Sequence, residues 1–492
     1  MLRFRKMCRF EFPTFRKQGV KEGVFMKELL AGATSVDITP TLPVSLVGQY
    51  YRRLATRVYS KLRAQILAVE GASGSVIFVA CDLLGVPDKV QEEIRWEIQK
   101  LAPEIPVEHV ILSAIHTHTA PHITVDHGSV TWGRDFDWFL TVENEMTPDA
   151  YRAQVVAAIA AGVVTAWNSR RPTVFSTGMD HVSISHNRRS VYADGTAVMY
   201  GNTNRSDFVQ LEGGGDDGIH FMAFEDAEKG GLIGAVIELA CPSQVLEHHD
   251  YVASDFWEEA RQVVARDWGE EAVLVGLCGA AGDLSPRDIV RAAMPEPDMH
   301  TTTMYMEDGC RLVGEKIASA FRTFMESRTP EEAPDVVHNS KTIRLPLWLV
   351  SAEEKEKALA AYSEKRKLHE EMVDFTEMEA YSLSIDAGVV LRWQLQQKTR
   401  THPVEIHALR IGSARMATNP FELYVEYADR IRARSGGGNI AVVQLAGGYQ
   451  GYLPSAGAIA HGGYSALVCN GLYGAEGGDL LVEETLELLK GL

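Results

Sequence analysis

Residues 61–85 read KLRAQILAVEGASGSVIFVACDLLG. Apolar residues first alternate with polar ones and then run together, on either side of a turn at Gly71–Gly74. That pattern predicts two strands joined as a hairpin. The stretch DKVQEEIRWEIQKL (88–101) spaces Val90, Ile94, Ile98 and Leu101 as one face of a helix. HVILSAIH (109–116) then returns to a strand. Outward from this unit the alternation continues. Thr147 and Pro148 suit the N-cap and first turn of a helix over 147–167. Further helices are expected over 255–268, 309–327, 351–375 and 421–434, with strands over 272–279, 402–418 and 439–448. There is no repeat of fixed period. The pattern implies an α/β fold with a mixed β-sheet core flanked by helices. The expected organisation is one domain over 26–492. Residues 1–25, basic and aromatic, read as a loose arm or an upstream start.

Composition narrows the function. Apolar residues are 46% of the chain, enough for a sizeable core, and the net charge is −18. A nucleic-acid surface needs a basic face, and an anionic membrane attracts one. Neither partner is expected here; a small-molecule substrate is. The first residues lack the apolar region of a signal peptide, and no apolar run reaches the roughly 18–20 residues of a membrane span. The six cysteines include no CxxC pair, which fits a reducing compartment better than a disulfide framework. A cytoplasmic location without a membrane anchor is the expectation. Oligomeric state is not legible.

Five apolar strands run into polar loops: ILSA into IHTHTAPH (115–122), GAVIELA into CPSQVLEHHD (241–250), AVLVGLCG into AAGDLSPRD (280–288), HALRIGSARMAT into NPFELYVEYADR (419–430), and NIAVVQLAGG into YQGYLPS (449–455). Side chains two apart on a strand face the same way, so His116 and His118 are expected to project together from a strand end. Gly279, Gly282, Gly447 and Gly448 allow backbone to approach a ligand closely.

These stretches, with AGATSVDITP (31–40), NRR (187–189) and GGYSA (462–466), resemble the neutral (non-lysosomal) ceramidase family in order, over roughly residues 27–480. The expectation is the catalytic domain of that family without its C-terminal β-domain. The resemblance implies a zinc hydrolase in which a metal-bound hydroxide attacks an amide. It implies His116, Glu422 and Tyr452 as zinc ligands, with His118 or the zinc-bound carboxylate moving the proton. Arg188 and Tyr464 match the groups that polarise the scissile carbonyl. Imidazole and carboxylate suit zinc, and a water in the remaining position becomes acidic. Asp283 and Ser285 of GDLSPR fall outside the ligand set. Asp283 suits a hydrogen bond to a ligand histidine, and Ser285 suits a turn that caps a helix.

The chain departs from the family at one ligand. A His-Pro segment usually supplies the second zinc histidine, and this chain has Cys241-Pro242. Cys241 and His248 are the candidate replacements. A changed ligand set points away from ceramide towards a soluble N-acyl or related substrate. The alternatives are a catalytically lapsed ligand-binding protein or a hydrolase of ester or glycosidic bonds. A TIM-barrel amidohydrolase fits poorly, because the HxH pair follows a hairpin and a helix and no eightfold β/α alternation is seen.

Overall fold

A computed structural model describes residues 28–123, 144–294, 304–369, 377–437 and 439–492. The arm expected over 1–25 lies outside them. The 61–85 stretch forms the expected hairpin, with the Gly71 N–H donating to Gly74 O at 2.9 Å.

The larger sheet has eight strands: β1 (Leu30–Asp37), β2 (Arg63–Glu70), β3 (Ser75–Cys81), β4 (Val110–Ala114), β5 (Arg171–His181), β6 (Gly218–Asp226), β7 (Leu232–Leu239) and β8 (Val273–Cys278). Their spatial order is β8-β7-β6-β5-β1-β2-β3-β4. The β3/β4 and β7/β8 pairs are parallel and the others antiparallel. The second sheet is β9 (Val336–Pro346), β10 (Thr401–Ile411), β11 (Ala414–Thr418) and β12 (Ile440–Val443), in sequential order, with β11/β12 parallel. The fold is thus mixed α/β.

Nearly every residue of β2, β3 and β7 is buried, because both faces of the sheet are covered. On β2, Ala64, Ile66 and Ala68 point outward to the helices α1 (Asp88–Leu101) and α2 (Pro148–Asn168). Leu67 and Val69 point inward. On the other half, Phe221, Ile237 and Leu274 meet α3 (Phe256–Trp268) and α4 (Glu307–Ser327). The sheet bends until its halves touch, and Gly234 of β7 sits against Leu67 and Ala33. The inner face also packs on Leu409, Ile411, Met416 and Val443 of the second sheet. The far side of that sheet is covered by α7 (Val425–Arg434) and α8 (Ala475–Lys490).

Several elements differ from expectation. The helix expected over 351–375 is α5 (Ala352–His369), with 370–375 outside the described residues, and a second helix, α6 (Glu377–Gln396), stands beyond it before β10. The second was missed because its apolar residues are not confined to one stripe. Helix α2 has Thr147 as its N-cap, as expected. Among the described residues it is also the one helix long and apolar enough to cross a membrane by length and composition. Its apolar residues pack on the sheet with β1 and β2.

A partly buried ion pair joins α1, which packs on the large sheet, to the second sheet. Glu405 of β10 accepts from Arg95 of α1 at 2.6 and 2.8 Å, and lies 2.9 Å from His407 Nε2. Burial pushes the carboxyl up, but hydrogen bonds from His407 and Arg95 outweigh it and hold Glu405 at about 2. The folded value lies below the unfolded one, so this stabilisation is complete above about pH 4.5 and is lost as pH falls through about 2. The stability gap between the natural protein and Glu405→Gln is expected to close across that window, measured by chemical denaturation at stepped pH.

Candidate active site

The C-terminal ends of the three parallel pairs, β3/β4, β7/β8 and β11/β12, supply the polar loops. Ends of parallel strands are where α/β sheets place ligands. Beyond β12 the chain hydrogen-bonds to both edge strands of the large sheet. Ala114 N–H donates to Leu445 O at 3.1 Å, and Gln444 N–H to Cys278 O at 2.9 Å. The side chain of Gln444 ties two further loops together, its Oε1 accepting from Ala281 N–H at 3.0 Å and Leu423 N–H at 2.9 Å.

His116 does not project from the strand itself. Strand β4 ends at Ala114, and His116 has a left-handed backbone, φ 66°. Its imidazole meets that of His118 through a turn, not through strand alternation. The His116 and Thr117 N–H groups donate to Leu83 O, which fixes the turn against the end of β3. His116 Nδ1 lies 2.9 Å from Leu84 O. A carbonyl only accepts, so Nδ1 carries a hydrogen and Nε2 is the atom that faces Glu422.

Glu422 does not open a helix. It pairs with Tyr452 in a two-residue parallel bridge, which sets carboxylate beside phenol. Gly282 permits this, since a Cβ there would lie 2.4 Å from Glu422 O. Glu422 Oε2 is 3.3 Å from His116 Nε2, and its Oε1 accepts from Tyr449 OH at 2.9 Å. Burial raises the Glu422 carboxyl, but His116 and the Tyr452 hydrogen bond outweigh it and hold the group below its ordinary value. Burial pushes the Tyr452 and Tyr464 phenols up, so both stay protonated. His118 is kept neutral, first by burial and then by His116, Arg53 and Arg188.

A cavity of about 130 Å³ opens on this group, lined among others by His116, His118, Glu422, Tyr449, Tyr452 and Tyr464. Arg188 stands behind it. Its guanidinium donates to Tyr452 OH at 3.1 Å, Gly282 O at 2.9 Å and Gln244 Oε1 at 3.2 Å.

The remaining candidates lie elsewhere. Cys241 is buried with its thiol turned to Ile184 O at 3.5 Å, and burial keeps it protonated. His248 is half exposed, its Nε2 3.6 Å from Glu247 Oε1. Asp283 contacts no histidine in the hydrogen bonds it makes; it accepts from Val425 N–H and Asn187 Nδ2, each at 2.9 Å. Ser285 accepts from Arg287 N–H at 3.1 Å within its turn. Sequence reasoning missed Tyr449, Gln244 and Glu247. All three lie in stretches that it singled out, but neutral or lone side chains there carry no spacing signal.

A polar centre at the ends of parallel strands, between two packed sheets with helices outside, defines the fold class. It is the fold of the neutral ceramidases. The neutral ceramidase from Pseudomonas aeruginosa superposes with a TM-score of 0.68 at 18% identity, over 95% of this chain and 75% of that one. A ceramidase complexed with C2 gives 0.65 at 16% identity, over 94% and 75%. No protein-family model and no curated protein matches the sequence.

The resemblance in sequence implies a metal, and part of the centre suits one. Among the described residues no three His, Cys, Asp or Glu side chains form a metal-holding group. Yet His116 Nε2 and Glu422 Oε2 face each other 3.3 Å apart. Zinc bonds of about 2.0–2.1 Å at tetrahedral angles place two ligands about that far apart. A cation or a proton is needed between them, and the Tyr452 phenol offers a third donor atom.

Proposed function

We propose that this chain is a metal-dependent hydrolase cleaving an amide (N-acyl) or related bond in a small, soluble substrate other than ceramide. The observation that carries the reading is the buried pair His116 Nε2 and Glu422 Oε2, facing each other at 3.3 Å beside the cavity. His116, Glu422 and Tyr452 would hold zinc, a three-ligand set that leaves room for water, as catalytic zinc sites do. When bound, zinc supplies Lewis acidity and makes water acidic enough to ionise near pH 7.

The chain's own groups do the rest. Neutral His118 accepts a proton at Nε2 and returns it to the leaving group. Tyr464, buried and protonated, lines the cavity and donates to the oxygen that gains charge. Arg188 acts through Tyr452, whose oxygen it holds. The cavity, about 130 Å³, is below the ~300 Å³ at which sites for drug-sized ligands begin. That favours a short acyl group over a lipid chain.

Metal analysis of the purified protein, paired with a panel of N-acyl, ester and glycosidic substrates, tests the proposal. About one zinc per chain is expected, with turnover confined to short N-acyl or related bonds and lost on chelation. Metal-free protein that still binds small ligands would favour the second reading, a lapsed enzyme. Cys241, turned away where the family has a ligand histidine, is the observation behind that alternative.

A further inference from the structure

The partners of His118 can be assigned one at a time. Arginine only donates, so the Gln244 atom 3.2 Å from Arg188 Nη1 is Oε1. The other amide atom, Nε2, then faces His118 Nε2 at 2.7 Å and donates to it. His118 Nε2 therefore carries a lone pair, and the hydrogen of the neutral ring sits on Nδ1. Nδ1 is buried without a hydrogen-bond partner. A buried N–H left unmatched is costly. The carboxylate facing it is Glu247, with Oε2 at 3.6 Å.

Glu247 is itself buried, at 6% exposure. It stands on the loop after β7, behind His118 and Gln49, which line the cavity. One guanidinium holds both partners in place, since Arg53 donates to His118 O at 2.6 Å and to Glu247 O at 2.7 Å. Gln49 Nε2 adds hydrogen bonds to Glu247 O at 3.1 Å and to Oε2 at 3.4 Å. With both backbones fixed, a shift of about half an ångström brings Nδ1 and Oε2 within ordinary N–H···O range.

We propose that Glu247 is a positioning residue for His118: its carboxylate accepts the Nδ1 hydrogen and, with Gln244, holds the ring in the Nδ1–H tautomer with Nε2 3.4 Å from His116 Nε2. The inference deepens the proposed hydrolase by naming what holds its base in one tautomer. A carboxylate behind an imidazole commonly fixes its tautomer and orientation. No residue pattern in the sequence marks this pair, which is 129 positions apart in the chain and brought together by the ends of β4 and β7.

The test is an imidazole ¹H–¹⁵N correlation spectrum of the full-length, deuterated protein labelled at its 16 histidines. The His118 signals are assigned by their loss in His118→Gln. The natural protein is expected to show His118 as the Nδ1–H tautomer. Glu247→Gln, which keeps an acceptor oxygen, should retain it. Glu247→Leu should shift the ring towards Nε2–H and lower kcat by ~10–100-fold with KM little changed. An Nε2–H signal in the natural protein overturns the proposal, and so does an unchanged tautomer in Glu247→Leu. If the leucine variant does not fold, the natural protein and Glu247→Gln still decide. The tautomer is read without substrate or metal, so failure of the hydrolase reading leaves this result standing by itself.

Discussion

Glu422→Ala is expected to lose hydrolysis by about 10³-fold or more, the scale on which a group that stabilises reaction charge is felt. Metal affinity should fall by more than ~100-fold, since replacing groups one layer further out already costs 10–100-fold. The physical cause is specific. Glu422 supplies the negative charge opposite His116 Nε2 at 3.3 Å, and it also accepts from Tyr449 OH. Glu422→Gln separates the two roles, because it keeps an acceptor for Tyr449 but removes the charge. Calorimetric zinc titration and initial rates should show Gln falling nearly as far as Ala. If Gln retains most activity, the carboxylate charge is not what the centre uses. The proposed metal site would then lose its main support.

The largest effect on stability is expected at Arg261. Its guanidinium donates to both oxygens of Asp82 at 2.7 Å, and Asp82 is fully buried. Burial pushes the Asp82 carboxyl up against the opposing pull of Arg261. Arg261→Met leaves that carboxylate without a countercharge, which typically costs about 3–5 kcal/mol. The double variant Arg261→Met, Asp82→Asn should recover much of the loss, because no buried charge then remains. Chemical denaturation of the four proteins in the cycle measures this. A single variant within about 0.5 kcal/mol of the natural protein would contradict it. Activity should fall as well. Asp82 directly precedes Leu83 and Leu84, whose carbonyls orient His116.

Much of the architecture was legible because the hydrophobic pattern carries it. The 61–85 hairpin, α1 and the Thr147 cap of α2 follow from local periodicity and capping, which act within a few residues. The helices α6 and α8 escaped, α6 because its apolar residues are spread round its circumference. The site divides in the same way. His116, Glu422 and Tyr452 stood out as ionisable or phenolic groups just after apolar strands. The turn at His116 did not, because it is imposed by Leu83, in the loop just beyond β3. Glu422 was expected at a helix start but lies in a two-residue bridge to Tyr452, a pairing set by loops thirty residues apart in the chain. Gln244 and Glu247 were invisible for a related reason. Their significance lies in which atoms they face across the fold.

The segment beyond β12 laces together strands from opposite margins of the large sheet, through Ala114, Gln444 and Gly447. Amide protons at those three positions should therefore exchange with solvent only when the whole molecule unfolds. The cluster around His116 has no private route to opening. Diversification in relatives with this stitch should fall on residues 45–52, which line the cavity, and on the α5–α6 insertion, leaving the seam itself untouched.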